Sequence, residues 1–383
     1  MDFTSNDEQQ MLRDGLRRFL RDLYPFDRRV AAIRSQTGWQ PEVWSALATQ
    51  LGLLGVGAAE SSGGSGGGAV EHMLVMQEFG RALVVEPYLE TVVIGSAALG
   101  MAGTSFARDL QQSLIAGDTL MGLGWLEPGM RFSPDRIAAT ATRDGTGWRL
   151  DGLKSMVTAA PWANWLLVAA RTGGVPGEQD GLSLFVVEKS APGISEHAYP
   201  TIDGRRASDI TFDGVALPSD ALIGAEGQGG ALVDDLLDRA IAATAAESVG
   251  AMEQMHSDTL AYVKERRQFG QPLASFQVLQ HRLVDMYMQV EMAQSASYLA
   301  TLKLGAEPSA RMIACSSAKI TIANACRFVG QNAIQLHGGM GMTDELAISH
   351  YFKRTSMIER EFGGVDDHVA RYARLALPRP IAA

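Results

Sequence analysis

The spacing of apolar positions changes twice along the chain. From Asp2 to about Ala116 it is helical. Met11, Leu12, Leu16, Phe19, Leu20 and Leu23 recur at three- and four-residue steps, with Arg and Asp between them, which predicts a helix with one apolar stripe. Ser5 or Asn6 supplies its N-cap, and Asp7 and Glu8 fall in the first turn, where carboxylates complement the helix dipole. A second apolar segment covers Val43 to Leu54, and further helical segments lie around Val70–Ala82 and Thr91–Leu99. The glycine-rich run Ser61–Gly68 (SSGGSGGG) reads as a loop between two packed helices. It lacks the spacing of a phosphate-binding P-loop.

From about Thr119 to Ile223 the pattern shortens. Ile137–Arg143, Trp148–Leu150, Trp165–Ala170, Ser183–Val187 and Ile210–Phe212 are β-prone. Turn signals separate them: Asp144-Gly145, Asp151-Gly152, Gly173-Gly174, Pro192-Gly193 and Asp213-Gly214. Strands with tight turns and no intervening helix predict an antiparallel sandwich or barrel. No GxGxxG follows a strand, which disfavours nicotinamide binding. After Gly224–Gly230 the helical period returns. One helix is expected from about Gly230 to Arg267, broken by Gly270-Gln271-Pro272, and others over Gln277–Leu304, Ser309–Leu336 and Glu345–Arg360. These make a four-helix antiparallel bundle. The expected fold is mostly α with a central β domain: an N-terminal helical domain over 1–118, a middle β domain over 119–223 and a C-terminal helical bundle over 224–383.

Composition narrows the function. Apolar residues are 46% and charged residues 20% of 383, the make-up of a packed globular protein. The longest apolar runs, Trp165–Ala170 and Ala240–Ala246, fall far short of the ~20 residues that span a bilayer, so membrane insertion is not expected. The N-terminal MDFTSNDEQQ has no apolar core for a secretory signal. Two cysteines, Cys315 and Cys326, make no disulfide framework, and a cytoplasmic location fits. A net charge of −10 opposes nucleic acid as a partner. Any anionic ligand has to be met by a few local cations.

The chain holds no HExxH, CxxC or GxSxG arrangement, and His281, His337, His350 and His368 form no metal-binding pair at i, i+4. Asp366-Asp367-His368 reads as a solvated acidic turn. Two segments are more particular. Lys264-Glu265-Arg266-Arg267-Gln268-Phe269-Gly270, followed by Phe276-Gln277, ends a long helix with cations, an aromatic ring and amides, a set that suits an anion joined to a planar ring. Gln335-Leu336-His337-Gly338-Gly339-Met340-Gly341 offers a glycine-rich backbone that a phosphate can approach closely.

Through these segments the sequence resembles the acyl-CoA dehydrogenase family along essentially its whole length. Arg266-Arg267-Gln268-Phe269-Gly270 with Phe276-Gln277 matches the family's RxxFG…Q motif, and Gln335 to Gly341 its QxxGGxG motif. Leu51 to Val56 and Glu78-Phe79-Gly80-Arg81 look like the family's N-terminal helices. Within the family the chain looks like small subunits of the pimeloyl-CoA dehydrogenase kind and of steroid-degrading heteromers. The resemblance implies an FAD-dependent oxidoreductase that converts a CoA thioester to the enoyl-CoA and passes electrons to an electron-transfer flavoprotein. It implies that Arg266, Gln268, Phe269, Gln277, Gln335, Gly338 and Gly339 hold the ADP part of FAD seated mainly in a neighbouring subunit.

Two departures from the family matter. The TEPxxGSD-like turn reads Trp125 to Phe132 here, with Glu127-Pro128 kept and Leu126 and Phe132 in place of the two hydroxyl residues. In the segment Met156-Val157-Thr158 the flavin-side Thr158 is retained and the aromatic is lost. The reaction also needs a carboxylate of raised pKa to take the α-proton. The usual Glu position is Phe362, with Glu361 one residue early, and the alternative helix position is Ala240. Glu247, seven residues on, shares that helix face ~10 Å along and is the candidate base. Three readings follow: a heteromer whose paralogous partner supplies the base, a self-sufficient homo-oligomer using Glu247 or Glu361, and a flavin-free structural subunit.

Overall fold

The computed structural model describes residues 6–377, so the alternative cap Ser5 lies outside the described residues. Helix α1 (Asp7–Leu23) starts at Asn6 in a capping box: Asn6 Oδ1 accepts from the Gln9 amide at 2.8 Å, and Gln9 Oε1 from the Asn6 amide at 3.1 Å. Helices α2 (Phe26–Arg34), α3 (Pro41–Thr49) and α4 (Ala69–Ala82) follow. The Ser61–Gly68 run joins α3 to α4 as a loop, tied by a bridge between Val56 and Gly66. Where a plain helix was expected over Thr91–Leu99, the backbone winds as a π-helix over Leu89–Ser96 and continues into α5 (Ala97–Ala102). Its β-branched run Thr91 to Ile94 favours α-helix weakly, and Thr91 Oγ1 accepts from the Met121 amide at 3.2 Å. Helix α6 (Ser105–Ala116) is capped by Thr104.

Eight strands form one sheet: β1 (Met121–Gly124), β2 (Thr140–Asp144), β3 (Gly147–Thr158), β4 (Trp165–Arg171), β5 (Leu182–Glu188), β6 (Ile194–Pro200), β7 (Arg206–Leu217) and β8 (Leu222–Ile223). Their order is β6-β7-β3-β2-β4-β5-β8, with β1 parallel on β4. Four of the expected strands are present and longer, whereas the strand expected over Ile137–Arg143 is shorter and begins only at Thr140. The sequence pattern missed β1, which is buried throughout, and β6, which is mostly exposed, because neither alternates. Trp148, Leu150, Leu166, Val168, Phe185 and Phe212 fill the core of this sheet.

The C-terminal helices are α7 (Gly229–Glu265), α8 (Gln277–Lys303), α9 (Pro308–His337), α10 (Ala347–Arg360) and α11 (Val365–Ala376). The last was not expected. Asp366-Asp367-His368 is its first turn, not a solvated loop: Asp367 Oδ2 accepts from the Gly364 amide at 3.0 Å, and His368 is fully buried. The structure divides into two compact units. One gathers residues up to Ala31, Ala69–Val84 and Ile241 onward; the other comprises Ala32–Gly68 and Val85–Ala240. This division cuts across the three consecutive segments expected from the sequence. Among the described residues no helix is long and apolar enough to cross a membrane.

The first unit is interleaved because α4 packs directly on α7. A Cβ at Gly80 would overlap the Glu247 carbonyl oxygen, and a Cβ at Gly250 would overlap that of Gln77. The two backbones touch at points one turn apart on each helix. Arg17 pairs with Glu78 at 2.6 Å, and Arg81 pairs with Glu253, beside the crossing. Around it lie Leu83, Val249, Met252, Met286, Val290, Ile322, Val329 and Ile358.

Two predictions follow from this packing. Gly80→Ala and Gly250→Ala should each destabilise the chain by ~2–3 kcal/mol or more in chemical denaturation, although alanine is the better helix former by ~1 kcal/mol. Loss below the propensity gain would mean that the helices do not meet at these glycines. The second concerns His368, whose Nε2 lies 2.7 Å from the Phe362 carbonyl and whose Nδ1 lies 3.3 Å from Ser316 Oγ. Burial pushes this imidazole down from 6.5 to about 3. Between those values the unfolded chain binds a proton that the folded chain refuses, so its contribution is complete above pH 6.5 and lost as pH falls toward 3. Urea titrations should show up to ~1.4 kcal/mol of stability lost per pH unit from this group, and His368→Gln should flatten that dependence. An unchanged acid slope in the variant would refute it.

Candidate functional site

The first unit brings the two glycine- and amide-bearing motifs together. Tyr262, near the end of α7, stacks on His337 at the end of α9 with centroids 4.3 Å apart and planes 25° apart. Arg266 follows Tyr262 by one turn, and Gly338 follows His337. Past α7, Arg267-Gln268 pairs with Gln271-Pro272 in a tight hairpin. Its two central residues, Phe269 and Gly270, both have positive φ, +52° and +79°, as a type I′ turn requires. Phe269 is 91% exposed, with its ring edge-on to Phe276 at 6.2 Å. Arg266, Gln277 and Gln335 are exposed, and their side chains have no hydrogen-bonding partner among the described residues. Gly339 has ordinary φ, and a Cβ there would meet nothing within 4 Å, so nothing inside the chain requires glycine. An open glycine backbone on one of these joined segments and an exposed, unpaired guanidinium on the other suit a phosphate-bearing ligand.

A second constellation in the same unit surrounds residues 361–364. Arg354 on α10 is 3% exposed and serves two carboxylates. Its Nε and Nη2 donate to Glu247 Oε1 and Oε2 at 2.6 and 2.8 Å, and its Nη1 and Nη2 to Glu361 Oε1 and Oε2 at 2.8 and 3.1 Å. Lys319 Nζ donates to the carbonyls of Ile358 and Glu361, the latter at 2.6 Å. Burial lowers this ammonium from 10.5 to about 8, against the opposing pull of Glu361. With His368 on the Phe362 carbonyl and Asp367 on the Gly364 amide, the turn is held residue by residue. Phe362 sits in it at φ +55°, a conformation a bulky residue adopts only when its surroundings impose it. Glu247, 1% exposed, has both oxygens on the guanidinium, and so does Glu361. A carboxylate engaged this way is a poor receiver for a carbon-bound proton.

In the second unit the counterpart of the family turn is built around Glu127. Its Oε1 accepts from Lys154 Nζ at 2.6 Å and from the Ala139 amide at 3.0 Å, and its Oε2 from the Ala138 amide at 2.8 Å. Lys154 is wholly buried, which lowers its ammonium from 10.5 to about 8 while Glu127 pulls it back. Phe132 packs edge-on against Trp125 at 5.8 Å. Thr158 pairs with Ala207 across β3 and β7, just past a register shift between Lys154 and Val157. Met156, at φ +49° and 42% exposed, donates its amide to Asp209 at 3.0 Å.

Sequence reasoning missed Arg354, Lys319 and Lys154, and placed His368 in a solvated turn although it is buried. All four are buried charged or titratable residues, and each has at least one partner 27 to 107 positions away. A basic residue on an otherwise apolar helix face, as at Lys319, was the available signal.

Comparison with known proteins identifies the family. Family profiles for the acyl-CoA dehydrogenase N-terminal, middle and C-terminal domains match residues 6–111, 122–215 and 227–371. Acyl-CoA dehydrogenase fadE12 of Mycobacterium tuberculosis (strain CDC 1551 / Oshkosh) is 31% identical over 354 residues, 88% of this chain and 89% of the relative. Among solved structures, a Tcur3481-Tcur3483 steroid ACAD variant superposes with TM-score 0.87 at 30% identity, over 96% of this chain and 97% of that one. The ChsE4-ChsE5 complex from Mycobacterium tuberculosis gives TM-score 0.89 at 25% identity over the whole of both chains. With all three domains matched in order, this chain belongs to the acyl-CoA dehydrogenase family of FAD-dependent oxidoreductases acting on CH–CH bonds.

Proposed function

We propose that this chain is the base-lacking subunit of a heteromeric acyl-CoA dehydrogenase, sharing FAD with a paralogous partner that supplies the catalytic carboxylate. The observation that carries the reading is at Phe362. A phenyl ring stands where the family resemblance implies the base, and the candidate carboxylates Glu247 and Glu361 both sit on Arg354. In this reading they are positioning groups that fix the turn.

FAD, when bound, supplies the acceptor for the hydride that leaves the β-carbon. This chain's part is to hold it. Arg266 would make charge-assisted hydrogen bonds to the pyrophosphate, Gln268, Phe269, Gln277 and Gln335 would flank the ADP part, and Gly338 and Gly339 would admit it to the backbone. Thr158 would meet the flavin. The substrate is a CoA thioester with a bulky or dicarboxylic acyl group, and the steroid named for one structural relative fits the bulky class. Electrons pass to an electron-transfer flavoprotein, in the cytoplasm.

Assembly is supported by α8. Its buried face carries Leu283, Met286, Val290 and Ala293, and its other face exposes Val284, Tyr287, Met288, Met292, Leu299 and Leu302, each at least 43% exposed. A helix apolar on both sides suits one that packs twice. Two structural relatives carry paired names, which fits a heteromer.

Two variants test the reading in the native assembly. Arg266→Ala should lose FAD during gel filtration without unfolding, since each charge-assisted bond contributes ~1.5–3 kcal/mol. Full flavin occupancy would make Arg266 a helix-end cation and nothing more. Glu247→Gln should lower stability by ~2–4 kcal/mol through the weakened Arg354 pair while turnover per bound FAD stays near normal. A fall in turnover of ~10²-fold or more would make Glu247 the base and replace the heteromeric reading with the self-sufficient one.

A further inference from the structure

The second unit contains a cleft of about 400 Å³ that uses none of the residues assigned to FAD. Thr37 and Trp39 line it from the loop between α2 and α3, Pro161 and Trp162 from the turn between β3 and β4, and Tyr199 and Arg206 from the β6–β7 hairpin. Its volume lies within the range of small-molecule sites.

Its walls are held in place. Trp39 and Trp162 stack with centroids 5.7 Å apart and planes 27° apart, and Trp39 meets buried Trp44 edge-on at 6.4 Å. Trp162 Nε1 donates to the Thr37 carbonyl at 2.7 Å. The turn that presents Trp162 is closed by its amide on the Ala159 carbonyl at 2.9 Å, with Ala159 itself at φ +61°. Tyr199 donates its hydroxyl to Asp209 Oδ1 at 2.9 Å. Arg206 runs over Gly38, where a Cβ would stand 2.6 Å from Nε, so a side chain at that position would displace the guanidinium. The side chain of Arg206 donates from Nη2 to the Ser35 carbonyl at 3.3 Å and has no carboxylate within ion-pair distance among the described residues. In a chain of net charge −10, carboxylates are in excess, yet none among the described residues pairs with this guanidinium.

These groups select a chemistry. Indole faces reward a flat π-system over an aliphatic chain. A guanidinium is a planar fork of donors matched to a carboxylate, and a neutral ligand covering it would leave those donors unpaired. We propose that this cleft binds a planar aromatic carboxylate, its ring added to the Trp39–Trp162 stack and its anionic end on Arg206.

Calorimetric titration of the full chain in its native assembly with 2-naphthoate tests this. The expected result is saturable binding at one site per chain, weakened at least tenfold when 2-naphthalenemethanol removes the charge or cyclohexanecarboxylate removes the ring. Arg206→Gln and Trp162→Leu should each weaken naphthoate binding at least tenfold, with folding checked by circular dichroism. Because the leucine variant removes a stacked ring, Trp162→Phe provides a milder second variant and should keep most of the affinity. No saturable binding, equal binding of the cyclohexane acid, or naphthoate binding unchanged in both the Arg206→Gln and Trp162→Leu variants would overturn the proposal.

Discussion

Two glycines set the geometry of the first unit. Gly80 and Gly250 let α4 and α7 touch backbone to backbone, and one of the atoms at that contact is the carbonyl oxygen of Glu247. The crossing therefore fixes the stretch of α7 from which the Glu247 side chain projects. From there the dependence is stepwise: Glu247 holds Arg354, Arg354 holds Glu361, and Glu361 begins the turn that carries Phe362. A single added methyl group at either glycine would be felt at the end of that series, since packed backbones have no soft side chain to yield.

The buried charges along this series balance. Glu247 and Glu361 offset Arg354 and Lys319, and each is also hydrogen-bonded in geometry that satisfies its donors or acceptors. Buried ion pairs of this kind contribute little net stability, because desolvation offsets most of the attraction, but removal of one member leaves a charge stranded. Their use here is specificity. They hold a left-handed phenylalanine, a conformation that the residue would not choose by itself.

Much of this was legible in the sequence. An N-cap at Ser5 or Asn6, the run of turn-separated strands, the long proline-free α7 and the two motifs at Arg266–Gly270 and Gln335–Gly341 are local signals, set by neighbours within a few residues. What escaped reading is non-local or aperiodic. Helix α11 opens with two acids and a buried histidine, so its apolar stripe is weak at the start. The π-helix arises where β-branched residues meet a partner on β1. Arg354 gave no sign of its role, because its two carboxylates lie 107 positions before it and 7 after it. The base question could be posed from the sequence, through Phe362 and Glu247; that both Glu247 oxygens accept from Arg354 could not be read there.

The discontinuous make-up of the first unit has a consequence for biosynthesis. Helix α4 leaves the ribosome long before the part of α7 that it packs against. Roughly 170 residues separate Gly80 from Gly250, and at ~5–20 residues per second that is an interval of about 10–30 s. During it the buried face of α4, with Met73, Leu74, Met76 and Phe79, has no C-terminal partner to cover it. The second unit is complete once Ala240 has emerged, whereas the first needs the helices that follow. Helices α1 and α4 therefore wait for C-terminal partners although they are among the first to be made, whereas α3 belongs to the unit that can close earlier.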